Sequence, residues 1–267
     1  MKRPTPIALL LLCAAPLLAG QTAPPADAPQ PSGRAQRAYA NPSALIAADI
    51  ALARLARAKG QWSALRELAD DDASLFDPAR TPARPALKDR ADPPQAAQWE
   101  PRAAWISCDG SFGLTWGGWT AASGTPGEYA TVWKRQVKGK VDWKWQLTDR
   151  AMRDVALPVA DWAEGRVADC PPRRPAADNP DGSGARPAGQ GEPRDRKGLP
   201  PLRPLAGPLP ATDAPAGADS ADGQSRDGTL AWRSTVLPDG TRRFTAWIWK
   251  DGAMREVLSR RFSAEGA

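Results

Sequence analysis

Apolar residues change their spacing along the chain, and each spacing predicts a different element. From Ile7 to Ala19 they run together, interrupted only by Pro16. Between Asn41 and Gly60, Leu45, Ile46, Ile50, Leu52 and Leu55 recur at helical intervals, with Asn41-Pro42 as N-cap and first helical residue and Gly60 as stop. A short second helix carries Trp62, Leu65 and Leu68 on one side. The acidic triplet Asp70 to Asp72 leads into a short strand around Ser74 to Phe76, and Asp92 is placed to cap a single turn through Pro93 to Gln98. From Arg102 the period becomes two. A strand to Cys108, a turn at Asp109-Gly110 and a returning strand Ser111 to Thr120 are followed by Glu128 to Val137. Val141, Trp143, Trp145 and Leu147 then alternate with Asp142, Lys144, Gln146 and Thr148, the pattern of a sheet with one wet face. Leu230 to Leu237, the turn Pro238-Asp239-Gly240 and Arg242 to Trp249 form a last hairpin, and Asp251-Gly252 turns the chain into a strand through Phe262. Helices first and a long antiparallel meander afterwards predict an α+β fold.

The same pattern divides the chain. Residues 1–20 have the order of a secretory signal: Lys2 and Arg3, an apolar run too short to favour spanning a bilayer, then small residues at Ala19 and Gly20. A retained single-span anchor is the other reading. Residues 21–40 lack large aliphatic side chains and fit a mobile arm. Residues 171–227, rich in Pro and Gly and without Val, Ile, Met, Phe, Trp or Tyr, read as a disordered linker. All 12 tryptophans fall outside those two segments, which locates the ordered blocks at 41–170 and 228–267. The second block is too short for a core of its own, so it is expected to return to the first as added strands, with Trp247 and Trp249 marking where they meet.

Export removes Cys13 and leaves Cys108 and Cys170, an even number that favours a disulfide in an oxidising compartment; two free buried thiols are the alternative. The expected location is periplasmic or secreted, without stable membrane insertion once the signal is cleaved. The formal charge of +6 sits in the signal, the arm and the last block, while basic and acidic side chains balance in 41–170 and in the linker. The basic pI is therefore no footprint of nucleic acid. The absence of histidine removes Ser-His-Asp and Cys-His nucleophiles, His-bearing zinc sites and an imidazole base. Asp70 to Asp72 lack the spacing of a calcium loop and read as a solvated helix terminus, and Gly117-Gly118 lacks phosphate-loop spacing. Neither a metal nor a cofactor is expected. Lys134 to Lys144 reads as a solvated hairpin tip.

The capped helix "NPSALIAADIALARLARAKGQW", the segment "ADDDASLF", the Pro-rich loop and the meander segments "WISCDGSFGLTWGGW" and "YATVWKRQ…DWKWQL" resemble the nuclear-transport-factor-2-like superfamily, in its SnoaL-like branch of exported bacterial proteins. The resemblance covers about 41–150. It implies a cone, with N-terminal helices packed in a curved antiparallel sheet, a pocket at the wide end and the C-terminal strands added after the linker. That cone hosts lyases and isomerases as well as non-enzymes, so it implies no single activity. The His-Asp pairs used by many of its enzymes have no counterpart in a chain without histidine.

Asp49 falls inside the apolar arc of the first helix, where a carboxylate has to be paired, hydrogen-bonded or facing a wet cavity. It reads either as a pocket carboxylate, an anchor or general base acting with Tyr129 or Asp92, or as a structural partner for an arginine or tryptophan of the sheet. Trp105, Trp116 and Trp133, with Asp49, are the residues expected to line a pocket for a small apolar or aromatic ligand; the competing reading of the tryptophans is core. Three functions follow: a non-catalytic binding or accessory module, which is preferred; a lyase or isomerase using Asp49; or an interaction protein whose C-terminal hairpin pairs with a second copy in a homodimer.

Overall fold

The computed structural model describes residues 40–77, 79–136, 142–170, 209–211 and 214–262. The expectations for the signal, the arm up to residue 39 and the linker over 171–208 lie outside the described residues, as do residues 137–141 of the basic hairpin tip.

Helix α1 (Pro42–Lys59) begins where the sequence places it. The Asn41 side chain accepts from the backbone N–H of Ser43 and Ala44, and Gly60 ends the helix with φ 106°, in the region that favours glycine. Helix α2 (Gln61–Leu68) follows at once. Strand β1 (Ala69–Asp77) then absorbs the acidic triplet instead of following it. Asp71 and Asp72 are solvated as expected, but Asp70 is buried and accepts from Lys134 Nζ at 2.9 Å. The Pro-rich loop contains a short strand β2 (Ala79–Pro82) and one turn of helix α3 (Ala83–Leu87), both without a periodicity signal.

Strands β3 (Gln98–Ile106), β4 (Phe112–Thr120), β5 (Pro126–Arg135) and β6 (Trp143–Met152) form the expected meander. With β7 (Glu164–Val167) they complete a curved seven-stranded sheet in the order β2-β1-β6-β5-β4-β3-β7. The sheet is mixed, because β1 runs parallel to β6 and β7 parallel to β3. One face is covered by the helices: Leu45, Leu52 and Leu65 pack on Leu75, Ile106, Trp133, Trp143 and Trp145.

The other face is not wet. Trp105, Phe112, Leu114, Val132 and Leu147 pack in one core with Leu230, Trp232, Phe244, Ile248 and Leu258. Those partners belong to a second, four-stranded antiparallel sheet in the order β11-β10-β9-β8, built from β8 (Asp219–Gln224), β9 (Leu230–Val236), β10 (Arg242–Lys250) and β11 (Ala253–Phe262). The C-terminal strands thus stack on the first sheet as a separate layer and do not extend its edge. Strand β8 comes from the stretch read as linker. It is an edge strand held by backbone pairing to β9, which needs no apolar side chains. Phe244, Ala246 and Ile248 face the first sheet, and the intervening Trp247 and Trp249 lie half-buried on the opposite side, so the expected contact through that tryptophan pair is corrected.

A bulge explains why β6 departs from the alternation read in the sequence. Val132 pairs with Leu147 but Trp133 pairs with Trp145, so the register slips at Gln146. Trp143 and Trp145 point to the helices and Leu147 to the second sheet, although their spacing is even.

Polar contacts also fasten the two sheets. At one end, the tips Ser107–Phe112 and Ser225–Leu230 are built alike. In each, an aspartate (Asp109, Asp227) accepts from a serine two residues before it and from a hydroxyl two residues after it. Asp109 N–H then donates to Asp227, and Cys108 N–H to Thr229. The Cys108–Cys170 disulfide closes the same corner, where Asp169 also pairs with Lys250. A bridge across 62 residues stabilises the fold by ~4 kcal/mol in the chain-entropy account. Elsewhere between the sheets, Arg242 of β10, 1% exposed, donates to Asp149 Oδ1 at 3.0 Å and to the Arg150 carbonyl at 2.9 Å, above the Phe76 ring.

Removing the Arg242 guanidinium leaves Asp149 buried without its counter-charge. Arg242→Ala is expected to lower the unfolding free energy by about 3–5 kcal/mol in urea titration, whereas the apolar pair Arg242→Met with Asp149→Leu recovers most of that loss.

Candidate functional site

The helix-covered face of the sheet holds Asp49, presented from the middle of α1. Its carboxylate is 1% exposed, accepting from Trp99 Nε1 at 3.0 Å on one oxygen and from the Tyr129 hydroxyl at 2.8 Å on the other. Burial raises the Asp49 carboxyl above the ordinary carboxylate range, against the opposing effect of donors from Thr115, Tyr129 and Trp99. Burial, and then the Asp49 charge, push the Tyr129 phenol well above its usual value. The fold therefore brings together Asp49 and Tyr129, which the sequence singled out, and adds Trp99.

Asp92 is elsewhere. It accepts from the backbone N–H of Trp62 and Ser63 and from the Ser63 hydroxyl, so it caps α2 from about thirty residues away. The Ser63 hydroxyl bond is the main cause of an Asp92 carboxyl held below its usual value. Helix α2 starts at Gly60, which has no side chain to cap it, and a Cβ there would lie 2.3 Å from the Asp92 carboxylate. A capping role replaces both the expected turn through Pro93 and a partnership with Asp49.

Trp105 and Trp116 are on the far face, away from Asp49. Trp105 is in the inter-sheet core, and Trp116 lies at its rim, donating to Glu128 with Arg260 over its ring. Trp133 shares the helix side with Asp49 but is fully buried, its Nε1 donating to Thr115. None of the three borders open space in the cavities around Asp49. A cavity of about 20 Å³ beside Trp99 and Tyr129 has room for roughly one water.

A larger cavity of about 300 Å³ opens next to it, sharing Trp119 and Arg150 with the small one. Its lining includes Gln61 and Trp62 from α2, Trp119 from the end of β4, Arg150 and Met152 from β6, and Arg90. Asp49 is not among the lining residues. Arg90 pairs with Asp77 and stacks 3.9 Å from the Trp62 ring centroid. Arg150 lies 5.4 Å from Trp62 and 5.7 Å from Trp119, and among the described residues its half-buried guanidinium makes no hydrogen bond or ion pair. Burial and the like charge of Arg90 lower Arg150 to about 10, against the opposing charges of Asp149 and Asp77. Arg150 is thus a cation with aromatic walls and no ion-pair partner among the described residues, beside the Arg90–Asp77 pair, an arrangement that can meet a negative group. Sequence reasoning passes over these residues because Trp62, Trp119 and Arg90 sit at element ends or in loops. The one available signal is Arg150 in register with Thr148 and Met152.

Among the described residues no cluster of His, Cys, Asp and Glu is arranged to hold a metal ion, and no helix is long and apolar enough to cross a membrane. A scan against protein-family models finds no match, nor does a search of curated proteins. Among solved structures, the chain is similar to the crystal structure of the S. rosetta CaMKII hub, at 17% identity over 42% of this chain and 95% of that one, with a TM-score of 0.32. A likeness of that size adds nothing to the chemistry of the cavity.

Two outcomes test these assignments. Asp92→Ala is expected to cost ~1 kcal/mol of stability through the lost cap, measured by thermal or urea unfolding. Asp49 holds its proton more tightly folded than unfolded. Its stabilising contribution is therefore complete below the unfolded value near ~4 and is lost as pH rises through the folded value. Asp49→Asn should flatten the fall in unfolding free energy from pH ~4 towards neutrality.

Proposed function

We propose that the protein is an exported, non-catalytic small-molecule-binding module of the SnoaL-like, nuclear-transport-factor-2-like kind. Its ligand is a flat or apolar molecule bearing a carboxylate, seated in the cavity that Trp62 and Trp119 help to line, with its negative charge on Arg150. The observation that carries this reading is the unpaired Arg150 guanidinium in a cavity of about 300 Å³, a volume at the small end for ligand pockets. Export is supported by the N-terminal pattern of Lys2, Arg3 and the Ile7 to Ala19 run, together with the Cys108–Cys170 bridge, which fits an oxidising compartment. A binding role is favoured over a lyase or isomerase using Asp49 because both Asp49 oxygens are engaged by Trp99 and Tyr129. A general base needs contact with the proton it removes.

Calorimetric titration with benzoate and indole-3-acetate, against benzamide and indole-3-acetamide, tests the reading. The acids are expected to bind and the amides not, with Arg150→Gln reducing acid affinity about tenfold or more, the scale of a lost charge-assisted hydrogen bond. Equal binding of acids and amides, or acid binding indifferent to Arg150, overturns it.

A further inference from the structure

A second cavity, about 450 Å³, shares Trp119 with the first but is otherwise built from different residues. Its walls are the Arg54 and Arg57 face of α1, the Trp99 to Arg102 segment of β3, and Leu157 from the segment after β6. Arg54 and Arg57 are three residues apart on one helix face, where like charges repel, and among the described residues neither forms an ion pair. Arg102 faces the same space. Its side chain is 15% exposed, and its Nε and Nη1 are buried without hydrogen-bond partners. The acidic side chain in the lining, Glu100, forms an ion pair with Arg102 Nη2 at 3.8 Å, too long for a hydrogen bond, and is itself mostly exposed. Three guanidiniums from two elements therefore face one carboxylate, a local excess within a segment (41–170) whose basic and acidic side chains balance as a whole.

We infer that this cleft binds a phosphate group. An excess of two positive charges matches a phosphate monoester dianion better than a single carboxylate, and guanidinium groups on two sides suit its tetrahedral oxygens. The phosphate has two possible sources, a soluble phosphate and a lipid headgroup. The neighbouring segment, with Val155, Val159 and Trp162 exposed, supplies an apolar surface beside the cleft for the second.

The test uses the full mature chain and inorganic phosphate, followed by calorimetry, in parallel with sedimentation against vesicles of phosphatidylcholine with and without phosphatidic acid. Binding in either arm that weakens about tenfold in Arg54→Gln/Arg57→Gln, and is unchanged in Arg84→Gln, supports the site. Phosphate binding alone identifies a soluble source, and binding that needs phosphatidic acid identifies the headgroup. Arg54 and Arg57 are exposed, so their replacement leaves the core intact, and Arg102→Lys provides a second variant that keeps the charge without the fork. No binding at millimolar phosphate together with no preference for phosphatidic acid overturns the inference. So does binding that the Arg54→Gln/Arg57→Gln variant leaves intact. Benzoate binding is read separately, so failure here and failure of the Arg150 site are distinguishable.

Discussion

Both faces of the seven-stranded sheet carry large apolar side chains, so each face has to be covered. Trp133, Trp143 and Trp145 on one side and Trp105, Phe112 and Leu147 on the other could not face water without forfeiting about 1.5–3 kcal/mol each. Helices α1 and α2 cover the first face and the C-terminal sheet covers the second. That requirement accounts for the order of layers, for the return of the C-terminal strands across a long connection, and for the concentration of inter-sheet fastenings at the hairpin tips and at Arg242. Closing a long loop costs little more than closing a short one, so the area buried decides the outcome.

Two carboxylates are almost wholly enclosed, one in each buried layer, and they are satisfied by different means. Asp49, between helix and sheet, takes neutral donors from Trp99 and Tyr129, while Asp149, between the sheets, takes a guanidinium from Arg242. Burial raises both carboxyls, and Asp149 is pushed up to about 7 although Arg242 opposes the shift. The contrast separates structural polarity from the open cavities. There the cations outnumber the acids: Arg150 and Arg90 share their cavity with Asp77, and Arg54, Arg57 and Arg102 share theirs with Glu100.

Much of the α+β architecture is legible in the amino-acid sequence. The bounds of α1 follow from Asn41, Pro42 and Gly60, and the antiparallel strands from period-two runs, with Asp-Gly turns at 109–110, 239–240 and 251–252. Asp49 stands out as a carboxylate in an apolar arc, and Tyr129 as one of only two tyrosines. Asp92 does not reveal its role, because the helix it caps begins thirty residues earlier and the sequence between carries no sign of the approach. Strand β8 is hidden for a related reason: backbone pairing holds it, and its side chains are those of a linker.

Local physics is therefore readable in the residues themselves. Caps, turns, alternation and the cysteine pair depend on neighbours a few positions away or on compartment chemistry, and they can be inferred without knowing the fold. The tertiary structure alone decided which face each strand residue takes. One bulge at Gln146 sends Trp145 to the helices and Leu147 to the second sheet, and local spacing carries no trace of it. The same register placed Trp105 and Trp116 away from Asp49, brought Arg150 between Trp62 and Trp119, and set the arginines of α1 opposite Arg102. Those are contacts between residues distant in sequence, and backbone register sets them.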